Sequence, residues 1–205
     1  MWSTISNGSY RLNPKCFSYY MSIDGNSNPH EMTMTIALCN SNIELADWLN
    51  SRYKLAFKPE HVGNALSSGN LDVAMYLINK SIDPPEHKFE AACRGGPHMI
   101  ELLLKLGYKI NNTDLDNLCE ICIITNSMIS KHSLSYLIRN YNCSEFAKRH
   151  LSIAILCDNL NSFLTLIGLG YIVDYDILSL ILNNKRSRIY RWTMEYYNLH
   201  VQPSS

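Results

Sequence analysis

The stretch GNLDVAMYLINKSID, residues 69–83, returns in altered form as GPHMIELLLKLGYKI, residues 96–110. Each copy begins at a turn former, runs through apolar residues at helical spacing, and stops at a polar or glycine-containing step. In the first copy the apolar positions are Leu71, Ala74, Met75, Leu77 and Ile78. Their i, i+3, i+4, i+6, i+7 spacing describes one wide face of a helix. A helix of about nine residues is too short to persist alone in water. Stacked copies cover one another's apolar faces, which is a physical reason for a chain to repeat such a segment.

Outward from this pair the same unit recurs. Ala65, in NALSSGNLDVAMYLI, lies 28 residues after Ala37 in IALCNSNIELADWLN and 27 before Ala92 in AACRGGPHMIELLLK. Ala154, in IAILCDNLNSFLTLI, lies 62 residues beyond Ala92, which leaves room for one further unit. That middle unit, LCEICIITNSMISKHSLSYLIRNY, aligns only if the connection 126–132 is lengthened. A last unit, ILSLILNNKRSRIYRWTMEYYNLHV, follows at similar spacing. Each unit predicts a helix carrying a small residue, a turn and a second helix. The turns are 40–42, 69–70, 95–97 and 158–159, rich in Gly, Asn and Asp. These residues accept left-handed backbone angles or cap the next helix.

The phrase A-x-x-x-G-N-L-D-V-x-x-Y-L-I, residues 65–78, resembles the inner-helix end, turn and outer helix of an ankyrin repeat, as does ACRGGPHMIELLLKLGYKI, residues 92–110. The resemblance extends over residues 32–200. Two features depart from the family pattern. The T-P-L-H opening is absent, its places reading HVGNAL, KFEAAC and HLSIAI, and the period is 27–28 residues against about 33. A different solenoid of helical hairpins is the competing architecture. The expected fold is therefore all-α: a solenoid of about six stacked helix-turn-helix, ankyrin-like repeats over residues 32–200. Residues 1–31 form an N-terminal cap or a binding arm, and 201–205 a tail.

Bulk composition narrows the function classes. The chain has 205 residues, 46% hydrophobic and 18% charged, with a formal net charge of zero. It is long enough to bury a core and too apolar for general disorder. A neutral balance counts against nucleic acid as the default partner. The polar N-terminus has no secretory pattern, and the seven scattered cysteines read as reduced, buried thiols. The longest apolar run, FLTLIGLGYIVDYDILSLIL (residues 163–182), holds Asp174 and Asp176 and reads as two buried helices joined by a turn, not as a membrane span.

Four groups of residues are candidates for chemistry or binding. Cys119 and Cys122 form CEIC, a pair that can hold zinc or act as a redox couple. No second pair of ligands follows at zinc spacing, so packed thiols and no bound metal are expected. Cys93, beside Arg94-Gly95-Gly96 and near His87 and His98, is the candidate nucleophile of a thiol-dependent enzyme, although the repeat register also accounts for it. Lys185, Arg186, Arg188 and Arg191 form the densest basic cluster, a phosphate contact or import signal on one reading. On the other reading they are the solvated face of a terminal helix whose buried side holds Ile189, Trp192 and Met194. Tyr53, Tyr108, Tyr141 and Tyr171 each fall just after the second helix of a unit. Such rings suit a partner-binding edge, or wedge between units.

The function expected from this organisation is non-catalytic binding of a protein partner, without a cofactor. The location expected is cytoplasmic, with a nuclear alternative. The resemblance further implies a viral or intracellular-pathogen protein that engages a host protein from the host cytoplasm. A thiol-dependent enzyme and a nucleic-acid binder using the basic C-terminal helix are the alternatives.

Overall fold

The computed structural model describes residues 31–141 and 143–200. The cap or arm expected over residues 1–31 lies outside the described residues except for Glu31, as does the tail 201–205. Among the described residues the chain is all-helical, without a strand. The helices are α1 (Glu31–Cys39), α2 (Ile43–Tyr53), α3 (Pro59–Ser68), α4 (Leu71–Asn79), α5 (Lys88–Gly95) and α6 (Pro97–Lys105). They continue with α7 (Asn112–Thr125), α8 (Met128–Asn140), α9 (Ala147–Leu156), α10 (Leu160–Gly168), α11 (Tyr175–Asn183) and α12 (Arg188–His200). A short 3-10 turn, Ser144–Phe146, leads into α9.

The chain divides into two compact units, with the division after Ala91, inside α5. In the first unit α1 pairs with α2 and α3 with α4, and α1 packs on α3. In the second, α7 pairs with α8, α9 with α10 and α11 with α12. There α9 lies against both α7 and α11, while α10 lies against both α8 and α12. In this second unit α7, α9 and α11 thus form one row and α8, α10 and α12 another. The anchor alanines Ala37, Ala65, Ala92 and Ala154 are all buried, where a larger side chain would hold packed helices apart.

Three of the corners between first and second helices share one geometry. Ser41, Gly69 and Asp158 adopt left-handed angles, with φ of 57°, 72° and 48°. The next residue, Asn42, Asn70 or Asn159, donates its backbone N–H to the anchor alanine's carbonyl at 2.8, 2.9 and 2.8 Å. Its side chain then accepts from the N–H three residues on, Leu45, Val73 or Ser162. The corner therefore satisfies the last carbonyls of one helix and the first amides of the next, both of which helices leave without internal partners.

The cap asparagine also reaches out of its own hairpin. Asn70 Nδ2 donates to Ser41 Oγ at 2.6 Å, and Asn159 Nδ2 donates to the Ile123 carbonyl at 2.5 Å. At the next corner Asp158 accepts from the Arg188 and Ile189 backbone amides at 2.8 and 3.3 Å, so it caps α12 from the preceding hairpin. Each unit thus holds neighbouring corners stitched together by such bonds.

Two expectations differ from the structure. The connection expected to grow over 126–132 is only Asn126 and Ser127, and the added length resides in the helices α7 and α8. Ser127 caps α8 by accepting from the Ser130 amide at 2.9 Å, which lets a polar stretch begin a helix. The run 163–182 does hold two helices and a connection. However, α11 is buried only along Ile177 and Ile181. Among the described residues no helix is long and apolar enough to cross a membrane.

Candidate functional site

The four buried thiols of the second unit lie together on α5, α7 and the turn before α9. Cys93, Cys119, Cys122 and Cys143 are each 2% exposed or less. The Cys119 thiol shares a hydrogen bond with Cys143, and that bond together with burial pushes it up, towards the protonated form. Cys122 is raised in the same way by a hydrogen bond with Cys93 and by burial. A nucleophilic or metal-binding cysteine needs the thiolate, which this environment disfavours for Cys119 and Cys122. Among the described residues no group of three or more His, Cys, Asp or Glu side chains is placed to hold a metal. Cys39 and Cys157, by contrast, are exposed at corners. Alkylation at neutral pH is therefore expected to label Cys39 and Cys157 rapidly and the four buried thiols only on unfolding. Peptide mass mapping of the labelled protein checks this, and rapid labelling of native Cys93, Cys119 or Cys122 would revive a thiol nucleophile.

The four tyrosines do not occupy equivalent places. Tyr108 and Tyr171 each follow a glycine in the left-handed region, Gly107 at φ 89° and Gly170 at φ 93°. Their amides donate five residues back, to Leu103 and Leu166, both at 3.1 Å. This is the helix stop in which the residue after the glycine folds back on the last apolar turn. Tyr171 goes further in. Its hydroxyl donates to the Cys143 carbonyl at 3.2 Å, its ring stacks on His150, and burial raises its pKa above the usual phenol range. Tyr53 is the last residue of α2 and meets Trp48 edge-on at 5.3 Å, while Tyr141 follows α8 directly. All four are half-buried.

The basic cluster is divided as well. Arg188 is engaged with Asp158, its guanidinium donating to the carbonyl at 2.7 Å and its Nε to the carboxylate at 3.4 Å. Lys185, Arg186 and Arg191 are exposed. Ile189 is fully buried, and Trp192 is half-buried with its ring edge-on to Phe163 at 6.1 Å, as a terminal helix face requires.

Two features escape sequence inspection. Asp116 of α7 and His150 of α9 form a buried pair, with Nε2 and Oδ1 2.9 Å apart. Arg149 donates to the other Asp116 oxygen at 2.6 Å and also pairs with Glu120. His150 Nδ1 is buried without a hydrogen-bond partner, which fits a neutral ring donating through Nε2. Burial lowers the His150 pKa, with Asp116 opposing. His61 of α3 is also buried, reaching Thr35 of α1 at 3.3 Å, and its pKa is likewise lowered by burial. Both histidines stand four residues before an anchor alanine, the one sequence signal that links them.

The second feature is a set of apolar side chains at two stitched corners. Ile124, Met128 and Ile129 surround the α7–α8 corner and Leu156 ends α9 beside the next, each at least 50% exposed. Such residues read as ordinary core in an apolar sequence, and only the corner geometry turns them outward. No protein-family model, curated protein or solved structure matches the chain.

Proposed function

We propose that the chain is a non-catalytic protein-binding scaffold, a solenoid of about six short ankyrin-like repeats acting in the cytoplasm, with a host protein as the partner class if the chain is viral or from an intracellular pathogen. The observation that supports this reading is the exposed apolar set Ile124, Met128, Ile129 and Leu156 on neighbouring corners. Asn159 holds those corners in register through the Ile123 carbonyl. Apolar side chains on a preorganised edge can bury against a partner with little further loss of conformational freedom. Repeats serve this purpose because the corner residues vary without disturbing the stacked core. The basic face at Lys185, Arg186 and Arg191 is solvated on this reading.

The test is capture of a partner from lysate by the wild-type chain, compared with two variants that retain the wild-type helical spectrum. In one, Ile124, Met128, Ile129 and Leu156 become Ser; in the other, Tyr53, Tyr108, Tyr141 and Tyr171 become Ser. The expected result is a reproducible partner lost at least tenfold in the corner variant. Loss in the tyrosine variant alone would move the binding edge to the other ends of the hairpins. Capture of nucleic acid whose binding falls steeply with salt would replace the reading with a phosphate-binding one.

A further inference from the structure

We propose that the exposed face of α11 seats a second copy of this chain, α11 against α11, in an antiparallel pair about a two-fold axis.

The argument begins with register. HLSIAIL in α9 (residues 150–156) and ILSLILN in α11 (residues 177–183) align at the 27-residue offset of the repeat. His150 then corresponds to Ile177, Leu151 to Leu178, Ala154 to Ile181, and Ile155 to Leu182. Leu151 and Ile155 are both 0% exposed, on a helix that packs against α11. Leu178 and Leu182, at the same positions, are 37% and 41% exposed. In α3 the corresponding Val62 and Leu66 are again fully buried. The open positions on α11 are therefore the ones through which one hairpin covers another.

The face is continuous. Tyr175, Leu178, Ser179 and Leu182 are all exposed and spaced i, i+3, i+4, i+7, one stripe of a helix, opposite the buried Ile177 and Ile181. Ile172 and Val173, exposed in the preceding connection, extend it. This second apolar face explains why residues 163–182 are so apolar as a sequence.

Charge selects the occupant. At the N-terminal end of α11, Asp174 and Asp176 share the single cation Lys148, leaving that end net negative. Beyond its C-terminal end, Lys185 and Arg186 are exposed and form no ion pair among the described residues. An antiparallel pair centred near residues 178 and 179 brings the basic end of each copy to the acidic end of the other, twice by symmetry. An isologous two-fold contact needs this self-complementarity. A single-helix seam is small beside the about 1,200–2,000 Å² of a standard interface, so the pair is expected to form at micromolar rather than nanomolar concentration.

Sedimentation equilibrium of the full chain up to about 100 µM is the experiment, an upper limit that populates a pair of micromolar affinity. The wild type is expected to reach the dimer mass, and Leu178→Glu/Leu182→Glu to remain monomeric with an unchanged helical spectrum. Lys185→Glu/Arg186→Glu is expected to weaken the dimer at least tenfold, an effect that diminishes in high salt. As a check independent of folding, Ser179→Cys places a thiol beside the two-fold axis. In glutathione disulfide, reduced to glutathione as the protein disulfide forms, this variant is expected to cross-link to itself faster than the wild type. A monomeric wild type at the highest concentration overturns the proposal, and so does Ser179→Cys cross-linking no faster than the wild type. In either case alkylation of the new thiol separates a face left open from one covered by another segment.

Discussion

Asn159→Ala is expected to lower the free energy of unfolding by about 3 kcal/mol, against about 1 kcal/mol for Asn70→Ala. Both residues cap a second helix, and loss of that cap alone costs about 1 kcal/mol. The difference lies in where the amide nitrogen goes. Asn70 Nδ2 reaches the exposed hydroxyl of Ser41, which water can satisfy once the asparagine is gone. Asn159 is 1% exposed, and its Nδ2 donates to the Ile123 carbonyl between two packed hairpins. Alanine there leaves a buried carbonyl without that donor, a further penalty of about 1–3 kcal/mol. Urea denaturation followed at the helical band gives both values. Equal losses for the two variants would show that the stitch between corners contributes nothing beyond capping.

Asp116→Ala is the second substitution with a large expected effect, about 3 kcal/mol at pH 8. It removes the acceptor of the buried His150 Nε2, and alanine offers no replacement. The Arg149 guanidinium is more than half exposed, so its lost pairing adds little. The same cluster sets a pH dependence in the wild type. Burial lowers the pKa of His150 and of His61 below that of an unfolded histidine, about 6.5. Above that value both states are neutral and stability is full. As the pH falls below it the unfolded chain takes up protons that the folded chain does not, and stability drops until the folded pKa is reached. Each such histidine contributes a slope of up to about 1.4 kcal/mol per pH unit. Denaturation midpoints between pH 8 and pH 5 are expected to decline for the wild type and to decline less for His150→Leu. Because Asp116 raises the His150 pKa, Asp116→Ala is expected to keep losing stability to lower pH. A flat wild-type profile would mean that both rings take up protons without penalty in the fold.

Much of the helix pattern could be read directly, because it rests on local physics. The spacing of Leu71, Ala74 and Leu77 makes a helical face, and Asn42, Asn70 and Asn159 are good caps wherever they occur. The lengthened α7 and α8 were less legible. Ser130 lies in the stretch 126–132 expected as a connection, yet it is fully buried in α8, as is Ser133, with Ser127 capping the helix and Ser133 donating to the Ile129 carbonyl at 3.4 Å. The Asp116–His150 pair joins residues 34 apart with no motif between them, so nothing short of the packed helices brings it to notice. Leu178 and Leu182 failed in the opposite sense. An apolar residue at a helical period announces a contact but not whether this chain supplies the other half of it.

The stitched corners bear on how such a chain can change over evolutionary time. Connections at the corners take one to four residues, whereas those that join one hairpin to the next take five to eight. A residue inserted at a corner such as 157–159 breaks three linked bonds at once: the cap, the anchor-alanine bond and the tie to the neighbouring hairpin. An insertion in the longest link, 80–87, can be taken up between the helix stop at Lys80–Ile82 and the start of α5 at Lys88. Insertions and deletions should therefore accumulate in the longer links, leaving the spacing of the corners as the trait that descendants share after their sequences have drifted apart.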